Sequence, residues 1–107
     1  MICYKILRKE NGKLYSALIN DHHKIHYKWN TVNTPTPEQL EKGYGILAFD
    51  NFNDANVFAE VNSRYGNNIL YIYKCTYNRS VGNMPECFNL YGIWPDGTVI
   101  VEDLTLI

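Results

Sequence analysis

The sequence holds three cysteines, four prolines and two methionines in 107 residues, and no apolar run approaches the roughly 18 residues of a membrane-spanning helix. Three is an odd number, and Cys3, Cys75 and Cys87 are widely spaced. That pattern does not suggest a disulfide framework or a zinc site. Cys3 and Cys75 fall within apolar runs and read as small buried hydrophobes, which suits a reducing compartment. No charged-then-apolar leader opens the chain, so neither secretion through a signal peptide nor membrane spanning is expected, and the expected location is cytoplasmic. Excess charge of one sign is also missing: the formal net charge is -1. That argues against nucleic acid as a partner held by bulk charge. The small imbalance is uneven, with seven Lys and Arg against four Asp and Glu in residues 1–42, and three against seven in residues 43–107.

What is present is an ordinary globular composition, 46% hydrophobic and 20% charged, in a length that sets one domain over residues 1–107. Such a chain can bury roughly 60–70% of its unfolded surface and needs no covalent staple. Asn, Ile, Tyr and Lys are abundant and Arg is scarce, a composition typical of an AT-rich bacterial or viral genome.

The pattern of residues predicts an α+β domain with a mixed or antiparallel sheet of five to seven strands and two helices, one short. Tyr44 to Thr76 is its organising stretch, read as strand (Ile46–Phe49), helix (Asp54–Tyr65) and strand (Ile69–Thr76). The second strand is nearly continuous in apolar and aromatic residues, which predicts a central strand buried on both faces. Ala55, Phe58, Val61 or Asn62, and Tyr65 form the helix stripe, with Asn53 or Asp50 as its cap and Gly66 at its end. Before this unit, Ile2–Arg8 and Leu14–Ile19 flank Asn11-Gly12, a type I′ hairpin signal. His22–Trp29 has Ile25, Tyr27 and Trp29 at period two, a third strand with His26 and Lys28 on the opposite face. A loop over Asn30–Pro37 follows. Thr36-Pro37-Glu38-Gln39 is a capping-box helix start, and Gly43 is its stop. After the unit come irregular residues 78–86, a strand over Phe88–Trp94, a turn at Pro95-Asp96-Gly97, a strand over Thr98–Val101 and an edge strand over Leu104–Ile107.

Chemistry-bearing residues are few. Asp21, His22, His23 and His26 are ligand types, but on a strand His22 and His26 stand about 13 Å apart, too far for one ion, so no metal is expected. Glu102 and Asp103 are adjacent and diverge on a strand, and Glu86 is isolated, so no carboxylate pair forms. Ser16 and Cys87 lack a recognisable nucleophile setting, and Tyr44-Gly45 lacks the glycine pattern of a phosphate loop. No cofactor is expected. The aromatics are mostly strand formers, yet the segment of His23, His26 and Trp29 with its following loop is the expected binding surface for a protein partner, since loops on a rigid sheet carry recognition.

The succession Tyr4-Lys5-Ile6-Leu7-Arg8, Gly43-Tyr44-Gly45-Ile46-Leu47-Ala48-Phe49, a helix opening Asp54-Ala55, and Ile69-Leu70-Tyr71-Ile72-Tyr73-Lys74-Cys75 resembles small ADP-ribosyltransferase-like domains over Cys3–Thr76. The resemblance implies a split, mixed sheet and NAD or a related nucleotide as substrate. It also implies Arg8 for the pyrophosphate, Tyr44 for stacking on nicotinamide and Glu102 for orienting the ribose or the nucleophile. The serine motif of the Arg-Ser-Glu members does not follow at its place.

Overall fold

Asn11 and Gly12 both take positive φ, 54° and 78°, the two left-handed residues a type I′ turn requires. They join β1 (Ile2–Glu10) to β2 (Lys13–Ser16) with Glu10 opposite Lys13 and Leu7 opposite Ser16. This computed structural model describes residues 1–17, 25–65, 69–80 and 96–107. The expected features at Leu18–Ile19, Asp21, His22, His23, Gly66, Glu86, Cys87, Phe88–Trp94 and Pro95 lie outside the described residues.

The third strand is shorter than its period-two pattern. β3 is His26–Tyr27, pairing with Leu14 and Tyr15 of β2. Past Tyr27 the chain leaves the ladder because the Asn33 side chain captures Lys28: its Oδ1 accepts from Lys28 N at 2.9 Å and its Nδ2 donates to Lys28 O at 3.1 Å. Helix α1 (Pro37–Glu41) starts as expected, with both arms of the Thr36–Gln39 capping box made and Gly43 at φ 73° beyond its end. Strand β4 (Ile46–Phe49) leads into α2 (Phe52–Tyr65). The cap of α2 is Asn51 rather than Asn53 or Asp50: its Oδ1 accepts from Asp54 N at 2.9 Å, the N3 amide that a cap side chain reaches. Strands β5 (Leu70–Thr76), β6 (Thr98–Val101) and β7 (Thr105–Leu106) complete the order. Gly97 has φ 76°, and a Cβ there would stand 2.9 Å from the Asp54 Cβ, so the turn before β6 presses against the start of α2.

All seven strands among the described residues belong to one antiparallel sheet, and the domain is α+β. The strand at its centre is β1. Residues Ile2–Arg8 pair with Thr76–Leu70 of β5 on one side. The other side of β1 is shared: Tyr4 pairs with Phe49 of β4, while Leu7 onward pairs with β2. The sheet therefore forks. One branch continues through β4 to β6. The other runs β3–β2–β1–β5–β7, and Trp29 bridges Leu106, so backbone pairing returns on itself.

This overturns the expectation that β5 is buried on both faces. Tyr71 is exposed, Leu70, Ile72 and Tyr73 are half-buried, and only Cys75 is fully buried. The reason is position: beyond β1, β5 has only the two-residue β7 as a neighbour among the described strands.

Alternation along β1 sorts two cores. Ile6 joins Leu47, Phe49, Ala55, Ala59 and Ile100 beneath α2. Cys3 and Leu7 join Leu14, Tyr27, Cys75, Leu104 and Leu106 within the ring of strands. Cys3 and Cys75 are both fully buried free thiols, as expected of small hydrophobes. They stand directly opposite each other.

Lys5 lies between Cys3 and Leu7 and is 2% exposed. Its ammonium sits in the fork, donating to Ser16 Oγ of β2 at 3.0 Å and to Leu47 O of β4 at 2.7 Å. The Tyr27 ring lies 5.7 Å from it, centroid to Nζ. Burial pushes its pKa down from 10.5 to about 8, because taking the cation out of water penalises the charged form. Burial likewise raises the Tyr27 phenol. The Cys3 thiol is raised by its hydrogen bond with Cys75 and then by burial.

The Lys5 shift has a definite sign in stability. Between pH 8 and 10.5 the unfolded chain holds this proton more tightly than the folded one, so the Lys5 contribution to stability rises with pH. Tyr27 acts oppositely above its ordinary 10, where the unfolded phenol ionises and the folded one does not. Comparison with Lys5→Met isolates the lysine. The stability of the native chain relative to the variant should rise by up to about 3 kcal/mol between about pH 7 and about pH 10 in urea denaturation. A pH-independent difference would show that Lys5 exchanges its proton as an exposed lysine does.

Candidate functional site

The fork and the ring leave a cleft of about 460 Å³ beside the β1–β2 turn, lined by Lys9, Gly12, Leu14, His26, Tyr27, Lys28, Trp29 and Tyr73. Each side chain has a local origin. Lys9 and Leu14 face each other across the β1–β2 ladder. Tyr27 lies opposite Leu14 on β3 and is buried. Tyr73 comes from β5, opposite Lys5. Gly12 contributes backbone alone, at a point with open space around it.

His26, Tyr27, Lys28 and Trp29 all reach one cleft, although an extended strand would send alternate residues to opposite faces. The strand ends at Tyr27, and the chain then bends to place Trp29 against Leu106. Asn33 holds that bend. It is 6% exposed and also donates to Thr31 O at 3.2 Å and Leu104 O at 3.1 Å. Its backbone exchanges N–H···O bonds of 2.8 Å with Leu104 in both directions.

The result is an aromatic wall with basic flanks. The rings of Trp29 and Tyr73 meet edge to face at 5.6 Å and 72°, a favoured aromatic geometry. Trp29 nonetheless remains 48% exposed. His26 is half-buried, its ring 5.7 Å from that of Tyr15. Lys9 lies 5.0 Å from the Tyr71 ring centroid. Among the described residues, the lining contains two lysines and a histidine and no carboxylate. A second, larger cleft of about 600 Å³ runs between α2 and β5, lined by Asn56, Ala59, Glu60, Ser63, Leu70 and Ile72. Its described lining mixes Asn56, Ser63 and the Glu60 carboxylate with three apolar side chains and holds no aromatic ring.

Two of the residues expected to bind a partner, His26 and Trp29, thus come together; His23 lies outside the described residues. The three residues implied by the ADP-ribosyltransferase resemblance are held apart from this cleft. Arg8 is bracketed by Tyr15 of β2 and Leu70 of β5. It is ion-paired with Glu10, lies 5.4 Å from the Tyr15 ring centroid and donates from Nε to Ser16 O at 3.2 Å. Tyr44 follows α1, its amide donating to Gln39 O at 2.9 Å. Glu102 lies beyond β6 on the other branch of the fork, 3.7 Å from Arg79 Nε. The neighbouring Asp103 turns instead to the amides of Asn78 and Arg79.

Ser16 and Lys5 have the atoms of a serine–lysine hydrolytic pair. However, the lysine's shorter bond goes to the Leu47 carbonyl, and Ser16 lines neither cleft. The pair closes the fork. Among the described residues no group of three or more His, Cys, Asp and Glu is placed to hold a metal ion. Nor is any helix among them long and apolar enough to cross a membrane.

Comparison with protein-family models, curated proteins and solved structures finds no match.

Sequence reasoning missed Lys9, Tyr73 and Asn33. Lys9 and Tyr73 are strand residues remote in sequence from Trp29, and only the ladder register brings them near. Asn33 did carry a signal, being an amide in a loop between two prolines and a tryptophan, where side-chain to backbone bonding is common. Asn33→Ala should cost about 2–3 kcal/mol by leaving Lys28 and Leu104 backbone groups without this partner. It should also increase the solvent quenching of Trp29 fluorescence. Retained stability and unchanged quenching would show that the bend holds without it.

Proposed function

We propose that this chain is a binding protein that acts by contact with another protein, through the cleft centred on Trp29. The observation that carries this reading is a large aromatic ring, pinned edge-on by Tyr73 yet half open to solvent, with Lys9, Lys28 and His26 around it. Rigid aromatic anchors of this kind concentrate binding energy at interfaces, because little side-chain freedom is lost when they are covered. The composition fits an AT-rich genome, and in a phage or mobile element the fitting role is inhibition of a host system by covering a working surface of one of its proteins.

The test is a double substitution, His26→Ala with Trp29→Ala, read by thermal unfolding and by capture of partners from host extract. The fold should persist, and partner capture should fall at least about tenfold, the loss expected of a removed aromatic anchor. A folded variant that retains its partners would remove this surface from consideration.

ADP-ribosyl transfer is the second reading: the forked sheet matches the split sheet that the resemblance implies, while the strand ladders among the described residues are all antiparallel and so differ from the mixed sheet it also implies. Its residues are Arg8, Tyr44 and Glu102, with NAD or a related nucleotide as substrate. Calorimetric titration with NAD at millimolar concentration should show saturable heat that Glu102→Gln reduces. Absence of heat would discard the reading.

A further inference from the structure

We infer that the Trp29 cleft recognises an acidic segment of the partner protein, with one large apolar side chain seated against Trp29 and Tyr73 and carboxylates beside it reaching Lys9 and Lys28. This rests on the protein-binding role proposed above and names the chemistry of the partner.

Charge is the first argument. The described cleft lining holds Lys9, Lys28 and His26 and no carboxylate, whereas residues 43–107 carry more than twice as many acidic as basic residues. The cleft is a local basic spot on a chain of net charge -1. Screening confines its field to about 8–10 Å, so it suits a ligand with two or three negative charges close together. A nucleic-acid strand is held by phosphates spread along its length, and the described cleft lining offers two lysines close together.

Shape is the second. A cleft of about 460 Å³ is within the size range of pockets that enclose small ligands. It accommodates one large side chain.

Backbone chemistry is the third. The N–H and C=O of Lys28 are both engaged by Asn33, and Trp29 already bridges Leu106. An incoming strand therefore finds no free ladder at Lys28 and Trp29, and recognition falls to the side chains. A lysine ammonium is a compact charge with rotatable donors, suited to carboxylates presented at varied angles. The exposed Trp29 face supplies the apolar contact.

The experiment is a nuclear magnetic resonance titration of the isotopically labelled full chain with blocked pentapeptides. One has phenylalanine flanked by two glutamates on each side; a second has lysines in their place. Adenosine monophosphate is the third ligand. The glutamate peptide should shift the Trp29 indole, His26 and Tyr73 resonances saturably. Its affinity should fall about threefold or more when salt is raised from about 0.05 to 0.3 M. Lys9→Glu with Lys28→Glu should weaken it about tenfold without changing the unfolding temperature. The inference is overturned if the lysine peptide or the nucleotide shifts these resonances as strongly, if the response ignores salt, or if the glutamate peptide is silent at millimolar concentration. In any of those cases, partner loss in the His26→Ala, Trp29→Ala variant would leave the protein-binding role standing, and partner retention would remove both.

Discussion

A buried ammonium holds the two branches of this sheet together. Lys5 reaches from β1 to Ser16 on β2 and to the Leu47 carbonyl on β4, at the point where the two strands part. Burying a charge is expensive unless hydrogen bonds compensate it; here two bonds and the Tyr27 ring offset part of that cost, and the lowered pKa of Lys5 is the part left over. A fork in a sheet opens a gap between strands, with backbone and hydroxyl oxygens turned into it. A long cation fills such a gap in a way that an apolar side chain cannot. The low pKa of Lys5 is a measure of how dry that gap is.

The candidate site follows from the fork. Because β4 diverges, β2 and β3 can curl toward β7 instead of extending a flat sheet, and the bridge from Trp29 to Leu106 closes the ring. Closure brings Lys9, Tyr73 and Trp29 from three separate parts of the chain to one mouth. Asn33 completes the arrangement by satisfying the backbone where the chain leaves β3. The aromatic ring is exposed by the same geometry that fixes it: the strand ends, so no described strand covers Trp29.

Local signals carried much of the architecture. Asn11-Gly12 announced its turn, Thr36 and Gln39 their capping box, and Ile46–Phe49 its strand, because each depends on backbone preferences within a few residues. His26 and Trp29 were legible as surface candidates because a polar and aromatic run before a loop suggests recognition. The errors share one cause. The apolar run of β5 looked central, and burial depends on which strands become neighbours. The cap of α2 lay at Asn51, where Asn53 and Asp50 offered equally good chemistry. The His26–Trp29 alternation promised two faces, and the bend held by Asn33 merged them.

What the sequence by itself determined is therefore most of the elements among the described residues and the α+β class, since turns, caps and periodicities are short-range physics. The tertiary structure alone decided that β1, with a lysine and an arginine among its buried residues, is the central strand. It also decided that the sheet forks, and that a basic aromatic cleft forms where the ring closes. These outcomes depend on pairing between residues far apart in the chain, with Cys3 opposite Cys75 and Trp29 beside Leu106. No local preference encodes such contacts; the shared burial of many side chains selects them.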